Sequence, residues 1–319
     1  MKNLHLDLVR VTEAGAIAAA KWVGRGDKIA ADAAATEAMR NRLNKIDFAG
    51  KIVIGEGKKD DAPGLFEGEE VGQLSILQKS NPPPSEKEDC ISPRFYDIAV
   101  DPIEGTTPTA KGGYEAMSVI ALGGENCFLS TDAFYMKKIA YGSKVAERVK
   151  INVTDDYEQI LKMIALALDK PTNKLTVCLL DRPRHDELID TLRNLECRIK
   201  FIQDCDVTAC IATCLPDTGI DLYMGIGGSP EGVISAAAMK CLGGVIQTQL
   251  VEKDGTPLED RLYEIEDMAK GDIIFSATGI TDGKLFKGVR YTSRGPVTNS
   301  LTMRSESGTV RKIETCHGN

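Results

Sequence analysis

Short apolar runs alternate with amphipathic stretches from about residue 145 onward, and this alternation constrains the fold more than any other feature. The runs KLTVCLLD (174–181), RIKFI (198–202) and DLYMGI (221–226) predict β-strands. The neighbouring stretches HDELIDTLRNL (185–195) and PEGVISAAAMKCL (230–242) have apolar residues at helical spacing. Because strands that alternate with helices favour βαβ units, the sequence predicts an α/β fold with a mostly parallel sheet.

The earlier part of the chain predicts two helices followed by strands that end in acidic residues. Residues 6–23 have helical apolar spacing, and Asp27 is placed to cap a second helix through about Leu43. We expect an N-terminal α+β half over residues 1–145 and a C-terminal α/β half over residues 146–319, with functional side chains at strand ends. The strands expected in the first half are 51–55, 96–101, and two more near 115–122 and 127–131.

Composition narrows the class of protein and its partners. The chain has 319 residues, of which 42% are hydrophobic, and a formal net charge of −8, so it can bury a core but offers no basic surface to nucleic acid or membranes. No apolar run approaches the roughly 18 residues of a membrane span, and MKNLHLDLVR (1–10) lacks the apolar core of a signal peptide. The nine cysteines include no C-x-x-C pair, which favours a cytoplasmic location with reduced thiols. The chain has only three histidines, and this scarcity makes a zinc site an unfavourable interpretation.

Acidic residues recur where the apolar strands end. Glu56 follows KIVIG (51–55), Asp101 follows YDIAV (96–100), and Glu104 comes shortly after Asp101 within the segment DPIEGT. Carboxylates this close repel one another unless a cation or a proton lies between them. Oxygen-only ligands select hard cations, so the sequence predicts Mg²⁺ or Mn²⁺. Such a site can bind a phosphate group and position a water molecule for in-line attack.

Each of these features also has a structural explanation when it is taken alone. An aspartate after a strand is more often a turn former or a helix cap than a ligand. The segment GIGGSPEG (225–232) is either a tight turn or a helix N-terminus that binds an anion. The turn DRPRH (181–185) carries either exposed charges or a phosphate site, since a guanidinium group binds phosphate oxygens in pairs. The coincidence of all these features favours the functional interpretation.

Seven segments, in their order along the chain, carry a resemblance to a known family. They resemble the motifs of the class II fructose-1,6-bisphosphatases, and AKWVGRGDK (20–28) with DRPRHDEL (181–188) looks most similar to the cyanobacterial branch that also accepts sedoheptulose 1,7-bisphosphate. DPIEGT alone is less specific, because inositol monophosphatases have a similar motif. The seven segments are IGEGKKDDAP (54–63), DIAVDPIEGT (97–106), FYMKK (134–138), DRPRH (181–185), DCDVTA (204–209), GIGGSPEGVISAAA (225–238) and IIFSATGIT (273–281).

The resemblance implies a fold and a role for individual residues. The implied fold is the layered α-β-α-β-α sugar phosphatase fold, which is similar to that of inositol monophosphatases. Asp60 and Thr106 would orient the attacking water, and Lys28 would lie beside the scissile phosphate. The implied metal-site carboxylates are Asp32, Glu56, Asp101, Glu104 and Glu231. The implied substrate-binding residues are Tyr135, Arg182 and Arg184 at the distal phosphate and Asp204 and Asp206 at the sugar.

The resemblance also implies a reaction. It is the metal-dependent hydrolysis of the 1-phosphate of fructose 1,6-bisphosphate to fructose 6-phosphate and phosphate, with sedoheptulose 1,7-bisphosphate as a possible further substrate. We expect a cytoplasmic homo-oligomer, either a dimer or a tetramer. Two alternatives stay open: a phosphatase of another sugar or inositol phosphate, and a non-catalytic regulator that binds metal or phosphate.

Several positions depart from the pattern of that family, among them the following two. Cys205 stands where the family has a glycine, and we expect a glycine there to hold a backbone angle that cysteine adopts less readily. The segment GGYEA (112–116) stands where the family has G-Q-[SA]-N-A, so two amide side chains are replaced by Tyr114 and Glu115. These departures bear on specificity rather than on the metal-site carboxylates.

Overall fold

A computed structural model describes residues 4–57, 64–80 and 95–318. Its contacts divide the chain into two compact units. The first unit falls within Met1–Ser130, Lys270–Arg304 and Val310–Asn319, and the second within Thr131–Ala269 and Ser305–Thr309. We expected a single boundary after residue 145. The observed division is different, because the last strands of the chain belong to the first unit.

The helices and strands of the described residues follow one another in mixed order. The helices are α1 (Leu4–Ala20), α2 (Lys28–Leu43), α3 (Gln73–Ser80), α4 (Thr106–Lys111), α5 (Ser143–Ala146), α6 (Tyr157–Leu168), α7 (Asp186–Asn194), α8 (Asp206–Ala212), α9 (Ser229–Leu242) and α10 (Ile265–Met268). The strands are β1 (Ala49–Ile54), β2 (Glu70–Val71), β3 (Phe95–Glu104), β4 (Met117–Gly123), β5 (Tyr135–Tyr141), β6 (Thr176–Leu180), β7 (Arg198–Ile202), β8 (Leu222–Gly228), β9 (Val245–Val251), β10 (Pro257–Tyr263), β11 (Ile274–Gly279), β12 (Arg290–Thr292), β13 (Gly295–Arg304) and β14 (Thr309–Cys316).

The sheet of the first unit is mixed and is covered by α1 and α2. Its order is β12-β13-β11-β4-β3-β1-β2, with β14 also pairing with β13, and β1 runs parallel to β3. Leu8, Met39 and Ile98 lie in one buried apolar cluster that joins the two helices to the sheet. Gly15 lets α1 approach closely, since a Cβ atom there would lie 2.5 Å from the Ser118 Oγ and 2.7 Å from the Met39 Cγ.

The sheet of the second unit is mostly antiparallel, so the expectation of a mostly parallel sheet is wrong. Its order is β10-β9-β5-β8-β6-β7, and the parallel pairs within it are β6 with β7 and β6 with β8. The chain passes from β8 through α9 to β9, but β8 and β9 are not neighbours in the sheet, because one other strand lies between them. This strand is the earlier β5, which runs antiparallel to both neighbours, a pairing that the alternation of strands and helices does not reveal.

Helices cover both faces of this second sheet. Val177 and Leu179 of β6 pack against Ile164 of α6 and Leu188 of α7 in one apolar cluster. The intervening Cys178 points to the other face, which α8 and α9 cover. All the residues of β6 are buried, as expected for a strand enclosed by helices on both sides. The structure thus confirms the α/β class, with two mixed sheets and helices packed on each.

Two details of the first unit differ from expectation. Strand β3 does not end at Asp101 but continues through Glu104, with an irregularity in its pairing with β4 between these two residues. The chain turns only at Gly105, whose φ of 98° favours glycine. Residues 127–131 do not form a strand, and the Cys127 N–H donates to the Asp97 side chain at 3.1 Å. No helix of the described residues is long and apolar enough to cross a membrane.

Candidate active site

Three carboxylates of the first unit are crowded at the ends of its elements. Glu56 follows β1, Asp101 lies near the end of the parallel strand β3, and Asp32 lies in the first turns of α2. Burial, the charge of Asp101, and a hydrogen bond and charge from Asp32 together raise the pKa of Glu56 to about 10. Without a cation, this cluster therefore keeps a proton at neutral pH, as the spacing of the acidic strand ends predicts.

The backbone beside Glu56 is shaped by glycines. The Glu56 N–H donates to the Leu65 carbonyl at 3.1 Å, and a Cβ atom on Gly55 would lie 2.0 Å from that same oxygen. Gly57 has a φ of 100°. The sequence GEG therefore turns the chain tightly around Glu56 and fixes where its carboxylate lies. Asp60, the expected partner of the attacking water, lies outside the described residues.

The segment 101–106 holds its polar side chains by local hydrogen bonds. The Asp101 Oδ1 accepts from the Ile103 N–H at 2.9 Å, and the Thr106 hydroxyl donates to the Ile103 carbonyl at 3.2 Å. Since the hydroxyl hydrogen of Thr106 is used in this way, its oxygen can accept a hydrogen bond from a water molecule. Glu104 is 4% exposed and ends β3.

Lys28 is placed beside this segment by the start of α2. Asp27 caps the helix by accepting from the Ala30 N–H at 2.9 Å, as expected, so Lys28 is the first helical residue. The Lys28 ammonium group donates to the Thr107 hydroxyl at 2.8 Å and is exposed. The structure therefore places an exposed cation at Thr107, the residue that follows Thr106, which is compatible with a role beside a phosphate group.

The second unit contains the arginine pair, and its two members are held differently. Arg184 directs Nε and Nη2 to the Ile226 carbonyl at 3.1 and 2.7 Å, and its guanidinium group lies 5.4 Å from the centre of the Tyr135 ring. Arg182 donates to the Gln203 carbonyl at 2.5 Å and to the Asp204 Oδ1 at 3.2 Å. Arg184 is thus oriented by a strand carbonyl and an aromatic ring, whereas Arg182 is oriented by the loop before α8.

His185 anchors the turn that carries these arginines, a role that sequence reasoning missed. Its Nε2 accepts from the Ile226 N–H at 2.8 Å, so its Nδ1 carries the proton that is donated to the Leu180 carbonyl at 2.7 Å. Burial lowers the pKa of His185, and the charges of Arg184 and Arg182 lower it further, against the opposing effect of the Leu180 bond. Ile226 is therefore held on both sides, through its N–H by His185 and through its carbonyl by Arg184.

Asp204 and Asp206 flank a residue in an unusual conformation. Cys205 has a φ of 75° and a ψ of 43°, the left-handed region in which glycine is favoured. This agrees with the expectation that a glycine at this position would hold a special backbone angle. Asp206 is buried at the start of α8, where its Oδ2 accepts from the Lys138 ammonium group at 2.6 Å and from the Tyr223 hydroxyl at 3.2 Å.

Glu231 lies in the first turn of α9, and one oxygen of its carboxylate is shielded from solvent. Its Oε2 is buried and has no hydrogen-bond partner from another residue in the described part of the chain. Gly228 makes room for it, because a Cβ atom there would lie 2.0 Å from Oε2. Burial raises the pKa of Glu231, and the charge of Asp206 raises it further while that of Lys138 lowers it.

These donors suit a hard divalent cation. The crowded oxygens of Asp32, Glu56 and Asp101 and the unpaired buried oxygen of Glu231 each favour a proton or a cation at the carboxylate. Carboxylate oxygens are the donors that Mg²⁺ and Mn²⁺ prefer. Lys138, like His185, was not expected as part of the site. The sequence does not single it out, because β5 contains two adjacent lysines, Lys137 and Lys138, and the structure shows that Lys138 is the buried one.

Crowded carboxylates at strand ends and a pair of oriented arginines suit an enzyme that acts on phosphate esters with the help of a metal ion. The family model of the bacterial, glpX-encoded fructose-1,6-bisphosphatases matches residues 2–317. The chain therefore belongs to the family of bacterial class II fructose-1,6-bisphosphatases, which are phosphoric monoester hydrolases.

Several cyanobacterial proteins are similar to this chain over nearly its whole length. Proteins from Microcystis aeruginosa and Synechocystis are each 40% identical to it over 99% of this chain and 96% of their own length. A protein from Thermosynechococcus vestitus is 40% identical over 98% of this chain and 95% of its own length. All three are named D-fructose 1,6-bisphosphatase class 2/sedoheptulose 1,7-bisphosphatase.

Proposed function

We propose that this chain hydrolyses the 1-phosphate of fructose 1,6-bisphosphate, releasing fructose 6-phosphate and phosphate, and that it also accepts sedoheptulose 1,7-bisphosphate. The observation that carries the proposal is the clustering of Asp32, Glu56 and Asp101, which favours metal-assisted phosphoryl transfer, in a chain that belongs to a bisphosphatase family. The names of the cyanobacterial relatives support both substrates.

The metal site of this proposal consists of carboxylates. Asp32, Glu56, Asp101, Glu104 and Glu231 would hold Mg²⁺ or Mn²⁺, which when bound would polarise the phosphate oxygens and lower the pKa of a bound water. The raised pKa of Glu56 supports its inclusion, because a proton there can be exchanged for a cation.

The reacting groups come from the chain itself. Thr106 accepts a hydrogen bond from the attacking water, and Asp60 takes its proton as the general base. The water oxygen forms a bond to phosphorus as the bond between phosphorus and the sugar oxygen breaks, and the sugar oxygen takes a proton from solvent water as it leaves. Lys28 stabilises the charge on the phosphate oxygens, as its ammonium group beside Thr107 allows.

The distal phosphate is proposed to be held by the second unit. Arg182 and Arg184 supply charged donors, and Tyr135, which stacks on Arg184, adds a hydroxyl group. Asp204 and Asp206 accept hydrogen bonds from sugar hydroxyl groups. A second phosphate site of this kind argues against simple monophosphates as the natural substrates.

Phosphate release from a panel of sugar and inositol phosphates, with and without Mn²⁺, tests the proposal. We expect metal-dependent release from fructose 1,6-bisphosphate to exceed release from monophosphates, and Asp101→Asn to remove it. Preference for another phosphate ester would favour the alternative of a different sugar or inositol phosphatase. Absence of release from every substrate, with intact phosphate binding, would favour a non-catalytic regulator. The same preparation tests by light scattering whether the protein is a homo-oligomer, as we propose.

A further inference from the structure

Lys138 is a fully buried cation within a sheet. It is 1% exposed and lies on β5 between the buried residues Met136 and Ala140, which share its face of the strand. Its ammonium group forms an ion pair with the Asp206 Oδ2 at 2.6 Å. Lysine is rarely buried to this extent unless it is paired. The neighbouring residues must therefore leave space for both the lysine and its carboxylate partner.

Two glycines make the space for this pair. A Cβ atom on Gly227 would lie 2.3 Å from the Asp206 Oδ2 and 3.0 Å from the Lys138 Nζ. A Cβ atom on Gly232 would lie 3.4 Å from the Lys138 Cε. The Tyr223 hydroxyl donates to the same Asp206 oxygen at 3.2 Å. One carboxylate oxygen therefore accepts two hydrogen bonds, in the space that the absence of side chains on Gly227 and Gly232 leaves open.

Lys138 faces two carboxylates but binds one of them. Burial lowers the pKa of Lys138, but the charges of Asp206 and Glu231 outweigh this effect and hold the pKa above its ordinary value, so the side chain stays charged. The ammonium group is bonded to Asp206, whereas the Glu231 Oε2 has no partner from another described residue. The two carboxylates are thus made chemically different by a single lysine.

We propose that Lys138 is a positioning residue that reserves Asp206 for the sugar and leaves Glu231 to the metal ion. This inference rests on the proposed function and deepens it. Because the Asp206 Oδ2 is occupied by two donors, one of them positively charged, a divalent cation is repelled from it. The same two donors hold the Asp206 carboxylate in one orientation for a sugar hydroxyl group. Glu231, which lacks such a partner, keeps an oxygen for a cation.

The substitution Lys138→Met separates this role from a purely structural one, because it has opposite consequences for the two ligands. Loss of a charged hydrogen-bond partner frees Asp206 to reorient, so we expect the KM for fructose 1,6-bisphosphate to rise about tenfold. Loss of the nearby positive charge removes a repulsion, so we expect the dissociation constant for Mn²⁺ to fall about threefold or more. Electron paramagnetic resonance of free Mn²⁺, without substrate, measures the second quantity.

Tyr223→Phe is the matched control, because it removes a donor to the same oxygen without changing charge. We expect a smaller rise in KM and an Mn²⁺ affinity within about twofold of the wild type. If Lys138→Met does not fold, Lys138→Gln keeps an amide donor without the charge and should give the same opposite shifts.

Three results would overturn the inference. These are an Mn²⁺ affinity that is unchanged or weaker in the lysine variants, an unchanged KM, and a failure of both variants to fold, which would make the ion pair structural only. The metal measurement also separates this inference from the proposed function. A wild-type protein that binds Mn²⁺ but ignores fructose 1,6-bisphosphate would refute the function, while the charge effect could still be measured.

Discussion

The substitution Arg184→Ala tests how the distal phosphate is recognised. In the structure, Nε and Nη2 of Arg184 are bonded to the Ile226 carbonyl, and the guanidinium group stacks on Tyr135. The fork is therefore held in one orientation, and Nη1, which takes no part in these two bonds, can donate to a phosphate. A hydrogen bond to a charged group contributes about 1.5–3 kcal/mol. Because ~1.4 kcal/mol corresponds to a factor of ten, we expect the KM for fructose 1,6-bisphosphate to rise tenfold or more.

Steady-state kinetics on two substrates check this prediction. Hydrolysis of p-nitrophenyl phosphate, which has no distal phosphate, should change little in Arg184→Ala. Arg184→Lys should lie between the wild type and Arg184→Ala, because lysine keeps the charge but not the planar fork. Arg193→Ala is the matched control, since Arg193 is an exposed arginine of the same unit. An equal loss on both substrates would show that Arg184 serves the metal site or the fold and would refute this reasoning.

Three further predictions follow from the carboxylates, from His185 and from the nucleophile. Asp101→Asn should abolish turnover at saturating Mn²⁺ but fold normally in a circular dichroism melt, because asparagine can still accept the Ile103 N–H; near-normal turnover would contradict the metal assignment. The pKa of His185 is lowered in the folded protein, so the stability from its neutral ring is present above about pH 6.5 and is lost as the pH falls through the folded-state pKa. Between about pH 8 and pH 5 the urea midpoint should therefore fall more for the wild type than for His185→Asn, and equal falls would count against this role. Hydrolysis in ¹⁸O-water should place one label in the phosphate and invert a chiral phosphoryl group, whereas retention would indicate a covalent intermediate.

Local signals in the sequence predict individual elements well. Asp27 caps α2 as its position before the helical pattern indicates, and β1 and β6 overlap the apolar runs that predict them to within one or two residues at each end. Pairing between distant strands is different. Strand β5 lies between β8 and β9 and runs antiparallel to both. No local pattern in the sequence indicates this position or direction, because both depend on the path of the whole chain.

The candidate site shows the same contrast. Glu56 and Asp101 are found from the sequence because each follows an apolar run, and parallel pairing of β1 with β3 then brings the strand ends together. Lys138 and His185 act through partners that are 68 and 41 residues away, Asp206 and Ile226. Their side chains look ordinary in the sequence, and only the tertiary structure shows that one is buried against a carboxylate and the other holds a strand.

The central claim is the metal-dependent loss of one particular phosphate, and ³¹P nuclear magnetic resonance of fructose 1,6-bisphosphate during turnover tests it most directly. With Mn²⁺ or Mg²⁺ present, we predict that the 1-phosphate signal declines as inorganic phosphate appears, while the 6-phosphate signal persists as fructose 6-phosphate. Without a divalent cation, or with Asp101→Asn, the spectrum should not change. Loss of the 6-phosphate at an equal or greater rate, or turnover that persists after removal of divalent cations, would contradict the account.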